Sequence, residues 1–148
     1  MNKNKYIHMI DSFISFLEKK GISVLGCNVE QIAQLEKKYG KLPQFYKLYL
    51  EKLGCYAGDF KADTWILYSD LDDINEETIE LMHQNKIIPP KNMFAFLMHQ
   101  GYTTLFFTNR NIDDPKVYCY TECEDIDDIN KTFSLCLESD INEYVKYA

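Results

Sequence analysis

Apolar residues recur at helical intervals near the start of the chain and in pleated runs further along. Ile7, Ile10, Phe13, Ile14 and Leu17 follow i, i+3, i+4 spacing, with lysines and Glu18 off that stripe, and Gly21 marks a stop. The spacing predicts a helix from about Lys5 to Lys20. A second helix starts at Asn28, an N-cap residue type with Gln31 three positions on. Ile32, Leu35 and Tyr39 form its inner face, and Gly40 ends it.

The next stretch stops and restarts. Pro43 suits the first turn of a helix because the amide it lacks would have no intrahelical partner there, and it pushes Leu42 into an extended conformation. Phe45, Tyr46, Tyr49, Leu50 and Leu53 then repeat at helical spacing, and Gly54 is expected to close the helix in the left-handed conformation. A helix, a sharp corner and a helix follow from this pattern.

After Gly58 the period changes. TWILYS, Thr64 to Ser69, reads as a strand. Asp70 to Glu80 reads as an acidic turn entering a short helix with Ile74, Thr78, Ile79 and Met82 inward, before Pro89 and Pro90. Met93–Gln100 and Thr103–Asn109 flank Gly101 and Tyr102 and read as a hairpin. Lys116–Glu122 follows the turn signal Asp113–Pro115 as a further antiparallel strand. Thr132 is expected to cap a last helix with Phe133, Leu137, Ile141, Tyr144 and Val145 inward. Helices first, a central mostly antiparallel or mixed sheet and a C-terminal helix make an α+β fold, and 148 residues without an internal repeat or linker make one domain, 1–148.

Charge sharpens this picture. The net charge is −7, and it is segregated: Met1–Gly58 is net basic, whereas Asp59–Ala148 is strongly acidic. A chain this acidic repels phosphate backbones, which argues against direct nucleic-acid binding. The early segment is interrupted by His8, Asp11 and Ser12 and lacks a signal-peptide pattern, and no apolar run approaches a membrane span. A cytoplasmic location is the expectation. Five cysteines at irregular spacing fit no disulfide framework and read as reduced, buried thiols.

The chemistry is sparse. His8, His83 and His99 share no ligand spacing. Cys119 and Cys123, four apart on a strand, would lie on one face about 13 Å apart, too far for a metal or a disulfide. DLDDINEETIE lacks the glycine and register of a calcium loop. A carboxylate pair could serve a hydrolase, and a solvated acidic surface would serve solubility. The sharper alternative is an acidic face that meets a basic protein: Asp70, Asp72, Asp73, Glu76 and Glu77 with Glu122, Glu124, Asp125, Asp127 and Asp128. Aromatic anchors would add affinity to charge steering. Tyr56, Tyr68, Tyr102, Tyr118 and Tyr120 are candidates, and Tyr102, at a turn, is the one expected to be exposed.

Glu36-Lys37-Lys38-Tyr39-Gly40, then Leu42-Pro43, Tyr46, Leu50 and Gly54, resembles the N-terminal signature of the SUKH superfamily. The Trp65 strand, the hairpin at Gly101, the strand with Val117 and Tyr118, and Thr132-Phe133 opening the last helix are similar in order. The resemblance implies a compact α+β domain that binds proteins without a catalytic residue set or cofactor. It implies, for bacterial members, an immunity protein that neutralises a secreted polymorphic toxin, plausibly a basic nuclease. For eukaryotic members it implies a scaffold or regulator of cell-wall synthesis, which is the alternative.

Overall fold

The computed structural model describes residues 1–148. Three helices come first: α1 (Lys3–Lys19), α2 (Val29–Tyr39) and α3 (Gln44–Leu53). Strand β1 (Thr64–Trp65) and helix α4 (Leu71–Gln84) follow. Then come β2 (Phe94–His99), β3 (Thr103–Phe107), β4 (Lys116–Thr121), β5 (Asp127–Thr132) and α5 (Phe133–Tyr147). The sheet is an antiparallel meander in the order β1-β2-β3-β4-β5. The α+β class expected from the sequence is the observed one, with an antiparallel sheet.

The two faces of the sheet carry different layers. Thr104 and Phe107 lie three apart on β3 and therefore point to opposite sides. Thr104 meets Thr78 of α4, hydroxyl to hydroxyl at 3.0 Å. Phe107 meets Tyr46 of α3 at 5.5 Å between ring centroids. Tyr46 is the hub of that second layer, with the rings of Phe94, Phe96 and Phe133 within 6.0 Å. These rings are almost wholly withdrawn from solvent, and edge-on contacts suit their quadrupoles.

The corner between α2 and α3 has a specific chemistry. Gly40 takes φ +89° and ends α2, a backbone region open to glycine. Leu42 is buried, and its amide donates to Glu36 Oε2 at 2.8 Å. Glu36 also pairs with Lys47 of α3 at 3.5 Å. Pro43 stands at the N-cap, and α3 starts one residue later. The Tyr6 hydroxyl of α1 donates to Phe45 O at 2.7 Å, and the two rings stack at 4.4 Å. The Asn28–Gln31 capping box forms as the sequence indicates.

Several local expectations are corrected. TWILYS yields only the two-residue strand Thr64–Trp65. The Tyr68 amide then donates to Gly54 O at 2.7 Å, and a 3-10 turn over Tyr68–Asp70 leads into α4. Gly54 is not left-handed, with φ −68°. Its need for glycine is space, because a Cβ there would lie 2.8 Å from Cys27 Sγ and 2.7 Å from Leu50 O. Ile79 and Val145 face outward. Cys123 sits in the turn after β4 with φ +67°, so it does not share a strand face with Cys119. The Thr132 side chain makes no cap bond to α5; Asp114 supplies it.

Candidate functional site

Helix α4 places its apolar and small polar residues, Leu71, Ile74, Asn75, Thr78, Leu81 and Met82, toward the sheet. This i, i+3, i+4 pattern leaves Asp72, Asp73, Glu76, Ile79, Glu77 and Glu80 on the solvent side. Asn75 locks the helix in place. Its amide nitrogen donates to Ala95 O at 2.9 Å, and its carbonyl oxygen accepts from Ala95 N at 2.9 Å. The short β1 leaves this part of β2 unpaired, so a side chain takes over the role of a neighbouring strand.

The acidic residues divide by what they already bind. Asp72 Oδ1 accepts from the Tyr39 hydroxyl at 2.5 Å and the Lys38 ammonium at 2.9 Å. These bonds, the tyrosine's first, hold its carboxyl below the usual aspartate range. The Asp70 carboxylate accepts from the Leu67 amide at 3.2 Å. Both residues tie the start of α4 to the fold. Asp73, Glu76, Glu77 and Glu80 are exposed and belong to no ion pair. Ile79, 41% exposed, lies on the flank of this face, three residues on from Glu76. Sequence reasoning assigned Ile79 to the core; the period set by Leu71, Ile74, Thr78 and Leu81 would have placed it outside.

The second acidic stretch lies beyond the C-terminal end of α4. Glu122, Glu124 and Asp125 are exposed around the β4–β5 turn. The Glu122 amide donates to Tyr102 O at 2.9 Å, which brings the hairpin tip beside this turn. Cys123 Sγ lies 3.6 Å from Asn85 Oδ1, just past α4. Asp73 to Asn85 spans about 18 Å of helix at 1.5 Å per residue. The exposed carboxylates of α4 therefore form a strip that leads to the adjoining turns that carry Tyr102 and Glu122.

Other sequence candidates separate from this strip. Asp127 and Asp128 are consecutive on β5 and point to opposite faces of the sheet. Asp128 is tied by the Asn130 amide at 2.9 Å and Lys116 at 3.0 Å, and these bonds lower its pKa. Tyr120 is fully buried and is no anchor. Tyr68 and Tyr118 are half-buried, whereas Tyr102 and Tyr56 are exposed. The Tyr102 hydroxyl donates to Gln100 at 3.2 Å.

Outside the acidic strip a concavity of about 1,020 Å³ lies between Phe60, Lys61, Asp140 and Tyr144. Lys61 and Asp140 pair there at 3.4 Å. Burial raises the Asp140 pKa, opposed by Lys61. The Tyr144 hydroxyl donates to Asp59 at 2.5 Å, a bond that helps push it up to about 12. No group of three or more His, Cys, Asp or Glu is placed to hold a metal ion. No helix is long and apolar enough to cross a membrane.

The chain matches the SUKH_6 family, described as SMI1-KNR4 cell-wall, over residues 29–136. It belongs to that family. The matched SUKH region includes the Glu36–Gly54 corner, α4, the whole sheet and the start of α5, and leaves α1 outside. No curated protein and no solved structure matches. At the level of the family, SUKH membership supports a SMI1/KNR4-like or immunity-protein function, with another protein as the partner.

Proposed function

We propose that this SUKH protein is a non-catalytic immunity protein that binds a basic toxin domain of the nuclease class and covers its substrate-binding surface. One observation carries the reading: α4 presents Asp73, Glu76, Glu77 and Glu80 on one face without ion pairs, flanked by the exposed Ile79. Unpaired carboxylates speed encounter with a positive surface, and an apolar side chain beside them supplies contact that charge alone does not. A nuclease cleft is positive because it must hold phosphates. Tyr102 and Glu122 extend the docking surface past the C-terminal end of α4.

Titrating the chain into the product of a neighbouring toxin gene tests this. Activity is expected to vanish near one equivalent. Inactivation at small substoichiometric amounts, or none at all, would overturn the proposal. The family's cell-wall association favours a second reading, a scaffold that docks a cell-wall-synthesis protein through the same strip. Capture of such a protein, in place of a toxin, by the wild-type chain but not by a strip variant would select it.

A further inference from the structure

A second cavity has the opposite electrostatic character. It is an open cleft of about 530 Å³ where the α2–α3 corner meets the loops before β2 and after β3, and is lined by Lys41, Lys91 and Arg110 with Asn92, Asn109 and Asn111. No carboxylate lines it, and none of the three cations belongs to an ion pair. In a chain of net charge −7 this is a local concentration of uncompensated positive charge. A concave, low-dielectric wall focuses such a field.

Arg110 is the fixed element. Its Nε donates to Asn92 O at 2.9 Å and its Nη2 to Met93 O at 3.2 Å, while Nη1 donates to Lys41 O at 3.4 Å and to Tyr39 O. Backbone carbonyls thus orient the guanidinium without neutralising it. A guanidinium has five N–H donors, so one Nη2 N–H has no acceptor in the chain. The plane also lies over the Phe94 ring at 5.7 Å. Gly40, at φ +89°, packs against this guanidinium, and a Cβ there would stand at ordinary contact distance, 3.4 Å, from Nη1. Lys41 and Lys91 are exposed, on flexible stems that can close on a ligand from the corner and from the loop before β2.

We propose that this cavity binds an oxyanion of the phosphate class, either inorganic phosphate or the phosphoryl group of a small phosphate monoester. Arg110 supplies the oriented charge and the free N–H, the two lysines supply mobile charge, and the asparagine amides supply further donors. Charge-assisted hydrogen bonds of this kind are the strong ones. The volume exceeds what a bare phosphate fills and leaves space for a substituent. The site is separate from the acidic strip of α4, and its test needs no protein partner.

The full chain is titrated at constant ionic strength with inorganic phosphate, chloride or glycerol 3-phosphate while backbone amide NMR shifts are followed. Phosphate is expected to cause saturable shifts at Gly40, Lys41, Asn92, Arg110 and Asn111 that chloride does not reproduce. The K41Q/K91Q double variant, altered only at exposed side chains, is expected to keep its other shifts and to bind at least about tenfold more weakly. Arg110→Lys, which keeps the charge and loses the fork, is expected to weaken binding as well, with circular dichroism checking its fold. Tighter or equal binding of the monoester supports the site and admits a substituent; weaker binding supports it for the free anion. Absence of saturable shifts, equal shifts with chloride, or undiminished binding by K41Q/K91Q overturns the proposal.

Discussion

Asp114 holds the first turn of α5 from the loop before β4: its carboxylate accepts from the Ser134 amide at 2.9 Å and from the Ser134 hydroxyl at 2.6 Å. The helix thus receives its cap from twenty residues upstream, while the Phe133 amide is met by Pro115 O at 2.8 Å. Since Phe133 packs on Tyr46, Tyr49 and Phe96, this cap joins the last helix to the aromatic layer. Asp114→Ala is expected to cost about 1–2 kcal/mol, the usual loss for a cap. Urea unfolding measures it. Thr132→Ala, which removes no cap bond, is expected to cost less than Asp114→Ala.

Asn75 gives a larger effect. It is 5% exposed and satisfies both backbone groups of Ala95, itself fully buried. Asn75→Ala leaves a buried N–H and a buried C=O without partners, and an orphaned buried polar group costs about 1–3 kcal/mol each. A loss of about 2–6 kcal/mol is expected, read as a fall in the urea midpoint. Glu76→Ala, next to it but exposed, is expected to change stability by less than about 0.5 kcal/mol.

Asp72 makes stability depend on pH. Its folded pKa is lowered by Tyr39 and Lys38, so its contribution is present above the unfolded value and is lost as pH falls through the folded one. Wild type is expected to exceed Asp72→Asn by under about 1 kcal/mol near pH 7, because the pair is more than half exposed. The gap is expected to close as pH falls below about 4. Paired denaturation curves across that range check both size and sign.

The legible parts of this fold are those whose signal is local. Gly40, Leu42 and Pro43 announce the corner because their backbone preferences act within a few residues, and the α1–α3 stripes announce their own buried faces. β5 was not legible, since DDINKT has neither alternation nor β-branched density and forms only because β4 offers an open edge. Gly26 carried no local signal either: a Cβ there would fall 1.7 Å from Glu51 O, a contact between segments distant in sequence. The acidic site was half legible. Composition named the carboxylates, but only the tertiary contacts separate Asp70, Asp72 and Asp128, which are held by amides, a hydroxyl or a lysine, from Asp73, Glu76, Glu77 and Glu80, which accept no bond from outside α4. The cavity around Arg110 was invisible because its three cations come from residues 41, 91 and 110.

The proposal that the acidic strip is a docking surface is tested most directly by the association rate constant with the proposed toxin partner as a function of salt. The comparison is between wild type and D73K/E76K/E77K/E80K. These four side chains are exposed and make no ion pair, so the variant is expected to keep its fold. Wild type is expected to associate fast at low salt, with a rate that falls steeply as salt rises. The variant is expected to be at least about tenfold slower at low salt and nearly independent of it. An unchanged rate with unchanged salt dependence would contradict the account.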